Sequence, residues 1–114
     1  MSLQIIPTDY TIRIVSIALS GRLDAFEAPA LRKTCDEFIE QGVSHLVFDL
    51  AAVSMIDSAG LAVLISALKR TRQAGGDVRL IWPREEVAAR ILKLTKFDQV
   101  FTSIDPSQII PKGF

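Results

Sequence analysis

Residues 46–68 constrain the chain most. They open with Leu46-Val47-Phe48-Asp49-Leu50 and continue through Ala51-Ala52-Val53-Ser54-Met55-Ile56. They then turn at Asp57-Ser58-Ala59-Gly60 into Leu61-Ala62-Val63-Leu64-Ile65-Ser66-Ala67-Leu68. The first part is short, apolar and β-branched, the pattern of a buried strand. The last part sets Leu61, Leu64, Ile65 and Leu68 on one face of a helix. A serine therefore stands where a buried strand hands over to a helix.

That position has its own chemistry. The first turn of a helix carries free backbone N–H groups and a partial positive charge. A phosphate there is held rather than repelled, which makes Ser58 a candidate phosphoacceptor. The plainer alternative is that Ser58, or Asp57, caps the helix, because Ser and Asp are preferred caps. Spacing alone favours the cap.

Around this unit the chain alternates. Residues 4–19 are strand-like, with a break at Pro7 and with Ile12, Ile14 and Ser16 on one face. Gly21 is expected to turn the chain after this strand. Residues 24–41 are predicted helical, with Asp24 and Glu27 at capping-box spacing. Pro29 belongs in a first turn, which puts the regular helix near Ala28. Leu31, Cys35, Phe38 and Ile39 form its expected inward face. The second helix runs over residues 58–73 and stops at Gly75-Gly76-Asp77, where the Walker spacing and its lysine are missing. Its first half is apolar almost all round. Either Ala62 and Val63 are buried on a second side, or they face a partner protein. Val78 to Trp82 form a further strand. A helix over residues 84–94, with Val87, Ile91 and Leu94 inward, and an edge strand over residues 101–104 follow.

Strand–helix alternation predicts parallel strands with right-handed crossovers. The expected fold class is α/β: a single mixed, mostly parallel β-sheet of four to five strands with β-α repeats and helices packed on it. The 114 residues suit one domain, and 49% hydrophobic residues suffice for its core. Loops that follow parallel strands share one edge of the sheet. Three are expected to converge around Ser58: Gly21-Arg22-Leu23-Asp24, Ser54-Met55-Ile56-Asp57-Ser58 and Pro83-Arg84-Glu85.

Several function classes are disfavoured. Lys+Arg and Asp+Glu balance at 13 each, so nucleic acid and anionic membranes have no electrostatic footprint to read. No apolar run reaches the roughly 18 residues of a membrane span. The amino terminus shows no signal-peptide pattern and Cys35 is the single cysteine, so a cytoplasmic protein is expected. One histidine, His45, gives no multi-histidine metal site. About six strand residues, roughly 20 Å, hold it too far from Ser58 for a hydrolase pair. Asp24 and Asp57 as paired catalytic carboxylates compete with capping and turn roles, which capping preferences favour. No catalytic residue, cofactor or metal is expected.

Phe48-Asp49-Leu50 followed by Met55-Ile56-Asp57-Ser58-Ala59-Gly60-Leu61 resembles the signature of STAS domains, and more narrowly of stand-alone bacterial anti-sigma factor antagonists. Leu19-Ser20-Gly21-Arg22-Leu23-Asp24 and Ala74-Gly75-Gly76-Asp77-Val78-Arg79-Leu80 fit the same pattern in order. The resemblance implies that Ser58 is the phosphorylated serine. It implies that the unphosphorylated form binds an anti-sigma factor serine kinase and so frees a sigma factor, and that a PP2C-type phosphatase reverses the modification. With the rim, it makes Arg22, Asp24, Met55, Asp57, Ser58, Ala62 and Val63 the expected partner-binding residues. The alternative is a STAS scaffold subunit of a stress-sensing or lipid-transport complex, without the serine switch.

Overall fold

A computed structural model describes residues 13–105. In chain order the elements are β1 (Ile14–Leu23), α1 (Ala28–Glu40), β2 (His45–Ile56), α2 (Ser58–Gln73), β3 (Asp77–Ile81), α3 (Glu86–Leu94), α4 (Phe97–Val100) and β4 (Thr102–Ser103). The strands form one sheet in the order β1-β2-β3-β4, and every neighbouring pair is parallel. This is the α/β architecture expected. The strand-like residues 4–12 and the terminal turn at residues 106–114 lie outside the described residues.

Register explains the core. Val15, Leu46 and Val78 stand side by side, and so do Ile17, Phe48 and Leu80. In β1 the set Val15, Ile17 and Leu19 packs on the core, while Ser16, Ala18 and Ser20 are exposed. Alternation fixes only that odd and even positions part company. The unbroken branched set goes inward because it removes more apolar area from water. β1 also outlasts its expected end. Gly21 has φ +84, yet the strand passes through it to Leu23, with a register shift between Gly21 and Arg22. The glycine makes a bulge rather than a stop.

The helices follow their apolar stripes. On α1, Ala28, Leu31 and Cys35 are buried, with Phe38 packed against them. On α2 the stripe is Gly60, Val63, Leu64, Ala67, Leu68 and Thr71. The Thr71 hydroxyl donates to the carbonyls of Ala67 and Leu68, which satisfies it inside the core. α3 departs from expectation. Ala88 and Leu92 are its buried residues, whereas Val87 and Leu94 are 59% and 75% exposed. The stripe is rotated by one position. The small Ala88 side chain brings α3 close against β2, and the bulkier Val87 turns outward.

Strand lengths position the functional edge. β2 has twelve residues and β3 has five, so β3 pairs only with His45 to Asp49. The second half of β2 pairs with β1 alone and carries the β2–α2 junction beyond the rest of the sheet.

Burial pushes the Cys35 thiol up to about 11, with Arg70 and Arg32 pulling it partly back. At pH 8 roughly one thiol in a thousand would then be ionised. Folded protein should release almost no thiolate chromophore from an aromatic disulfide reagent at pH 8, and stoichiometric chromophore once urea unfolds it. Rapid labelling of the folded form would show that the α1 face is open to solvent.

Candidate functional site

Asp57 builds the site. It is the N-cap of α2 in an extended conformation, φ −101 and ψ −176. Its Oδ1 accepts the Gly60 N–H at 3.0 Å, and its carbonyl accepts the Leu61 N–H at 3.0 Å. Its Oδ2 accepts the Ala25 N–H at 3.0 Å, which ties down the loop after β1. Its own N–H donates to the Leu23 carbonyl at 3.1 Å. One aspartate therefore joins the ends of β1 and β2 to the start of α2. Gly60 lets them meet: a Cβ there would lie 2.5 Å from the Leu23 carbonyl oxygen and 2.8 Å from Leu23 Cγ.

The cap is thus Asp57 and not Ser58. Ser58 is the first residue of α2 and is exposed. No hydrogen bond occupies its hydroxyl among those of the described residues. Ala62, one turn further on, is also exposed. Val63 is only 3% exposed and belongs to the core, because α1 packs against this side of α2. Of these two expected partner-binding residues, only Ala62 offers a surface.

The remaining rim residues come together across the β1–β2 pair. Arg22 stands opposite Met55 in register, and its Nη2 donates to the Met55 sulfur at 3.3 Å. Its Nε lies 3.9 Å from Asp24 Oδ2. Asp24 Oδ1 accepts the N–H groups of Phe26 at 3.0 Å and Glu27 at 3.2 Å. Asp24 therefore caps the turn that leads into α1, one turn ahead of the regular helix. Both aspartates have structural work: both oxygens of Asp57 and Oδ1 of Asp24 accept backbone amides.

The third loop does not join the rim. The Arg84 N–H donates to the Ala51 carbonyl at 3.2 Å, so the chain leaving β3 meets β2 at its middle. Ala51 precedes Asp57 by six residues of extended chain, roughly 20 Å. The short β3 is the reason. His45, at the far end of the twelve-residue β2, is still more remote, its imidazole Nδ1 2.9 Å from the Ser44 hydroxyl.

One prominent rim residue escaped the sequence reading. Phe26 follows the Asp57-anchored Ala25 and is 91% exposed. The signal was available. Counting back from Leu31 by helical spacing reaches Ala28, so Phe26 is out of phase with the buried stripe. Two hollows flank it. A groove of about 730 Å³ runs between α1 and α2, with Ala59, Ala62, Arg32 and Lys33 in its walls. A second, of about 580 Å³, lies between β1 and α1, with Phe26, Leu19, Arg22 and Asp24 among its lining.

Residues 6–108 match the STAS domain family, and the chain belongs to that family. It is 31% identical over 80 residues to the anti-sigma-B factor antagonist of Bacillus subtilis, covering 70% of this chain and 69% of that one. Two Thermotoga relatives, provisionally named anti-sigma factor antagonists, match over 61% of their own length. The crystal structure of one such protein, from Thermotoga maritima, superposes with a TM-score of 0.74 at 30% identity, covering 85% of each chain. The phosphorylated form of SpoIIAA, a Bacillus cell fate determinant, shares the fold, with a TM-score of 0.69 at 18% identity over 91% of this chain and 95% of that one.

Asp57→Ala removes a helix cap and the tie to Ala25 together. It should lower the unfolding free energy by about 2 kcal/mol. Gly60→Ala should cost about 1–3 kcal/mol, because its Cβ meets a backbone carbonyl that cannot swing away. Urea unfolding measures both. Losses below about 0.5 kcal/mol in both variants would show that this junction does not hold the rim.

Proposed function

We propose that this chain is a phosphorylation-switched binding module, not an enzyme. Unphosphorylated, it sequesters an anti-sigma factor serine kinase in the cytoplasm and so releases a sigma factor. The kinase phosphorylates Ser58 and lets go, and a PP2C-type phosphatase returns the serine to its free state. The observation that carries this reading is the exposed Ser58 hydroxyl at the mouth of α2, spared from capping by Asp57. Family membership and relatives named as anti-sigma factor antagonists support it.

The physics of the switch is local. A phosphate adds about −1.5 to −2 charge. The α2 start favours that charge through its dipole, so the fold persists. A partner surface matched to a neutral hydroxyl meets repulsion and desolvation instead. A few kcal/mol is enough, since about 1.4 kcal/mol is tenfold in affinity. The contact surface centres on Ser58 and Ala62, with the α1–α2 groove beside them and Phe26 on the loop that leads into α1, lining the β1–α1 hollow. A fully exposed phenylalanine on a hydrogen-bonded loop has the character of an interface anchor: large and apolar, with few rotamers to freeze.

Incubation with the cognate kinase and ATP, followed by peptide mapping, should place one phosphate on Ser58. Ser58→Ala should bind the kinase and accept no phosphate, and Ser58→Asp should lose binding while keeping its fold. Phosphate on another residue would reject the assignment. A pull-down that returned a transporter ATPase or a large assembly, unaffected by Ser58→Asp, would favour a scaffold role.

Phe26→Ala should weaken kinase binding by about 10- to 100-fold and leave the unfolding midpoint nearly unchanged, because the ring contributes little to the core. Calorimetric titration checks this. Unchanged affinity would place the anchor elsewhere.

A further inference from the structure

Arg22 is held loosely for a residue so near the site. Its side chain is 65% exposed. One contact is to a thioether sulfur, a weak acceptor. The other, to Asp24 Oδ2, spans 3.9 Å, beyond hydrogen-bond range, while Asp24 Oδ1 is already taken by two backbone amides. The contact with Asp24 shows that the side chain runs along the strand toward the rim. Met55, beside it in register, precedes Ser58 by three residues, roughly 10 Å of extended chain. The other groups around Ser58 are mostly anionic: Asp57 on the β2–α2 junction, and Asp24 and Glu27 on the loop into α1. From α1, Arg32 donates to Ser66, two turns down α2, and Lys33 lines the groove below.

We infer that Arg22 is the internal counter-charge of phosphorylated Ser58. It gives up the thioether and the distant carboxylate for the phosphate oxygens and so stabilises the dianion within the domain. The inference rests on Ser58 being the modified serine. A phosphate at Ser58 without such a partner would add its charge to a rim already carrying Asp24, Glu27 and Asp57. A guanidinium matches phosphate geometry with paired donors, and a phosphate dianion outcompetes a thioether and a distant carboxylate as its acceptor. The modified state is then not merely a repelled surface. It is a rim with its one arginine turned inward, removed from whatever acidic group a partner offered it.

The test is a phosphorus NMR titration of protein carrying phosphoserine at position 58, installed during translation so that no kinase is required. Arg22→Gln should raise the second phosphate pKa by about half a unit relative to the parent. Arg22→Lys should keep most of the parent value, and Lys33→Gln should leave it unchanged. No change in Arg22→Gln would overturn the inference. An equal rise in Lys33→Gln would do so as well, since it would show a diffuse field and not a specific partner. Amide spectra of each variant confirm that the fold is intact. Failure here leaves the kinase assay untouched, and failure of the kinase to modify Ser58 leaves this titration interpretable, so the two ideas fall separately.

Discussion

Everything at the functional edge depends on how close α2 can come to the end of β1. The Leu23 carbonyl accepts the Asp57 N–H and simultaneously lies against Gly60, where even a methyl group would be 2.5 Å away. Asp57 then spends one carboxylate oxygen on α2 and the other on the loop beyond β1. A carboxylate that accepts backbone amides on both sides makes two charge-assisted hydrogen bonds at one junction. The α2 start, the α1 approach and the ends of two strands are fixed by that single residue, so whatever Ser58 presents is presented from a rigid base.

The second constraint is the mismatch between strands. Parallel sheets place their functional loops on one edge, but an edge is shared only when neighbouring strands end together. Here β2 runs well past β3. The ends of β1 and β2 stay together because β1 also runs on, through its bulge at Gly21, to Leu23. The rim is therefore built from two loops, and the third meets β2 near Ala51. The protruding β1–β2 pair leaves Ser58 standing clear of the rest of the sheet.

Most of the fold was legible because its signals are local. The apolar run from Leu46, the Asp-Ser start and the glycine stop predicted α2 over the residues it occupies. The errors arose where tertiary contact decides among equal local patterns. Either face of β1 could have gone inward. Either Val87 or Ala88 could have faced β2, and the smaller one did because the helix then packs closer. Val63 read as surface or core with equal force until α1 was laid against it. Strand length is the least local property of all, which is why the third loop was misplaced. Phe26 is different: its phase against Ala28 and Leu31 was readable, and no role was read from it.

Splitting two tasks between adjacent residues makes the proposed switch physically sound. A helix start needs a cap worth about 1 kcal/mol, and a serine that supplied it would lose part of that role when esterified. Asp57 takes the cap and the loop tie. Ser58 is left with an exposed hydroxyl that the fold does not need. Modification then changes charge where partners touch and leaves the junction beneath unaltered. The consequence is directional: substitutions at Asp57 act on stability first and binding second, and substitutions at Ser58 act on binding with little effect on stability. That separation follows from which oxygen holds the helix. It would vanish if the two residues exchanged roles, since a cap that can be phosphorylated couples every change of signal to a change in the fold.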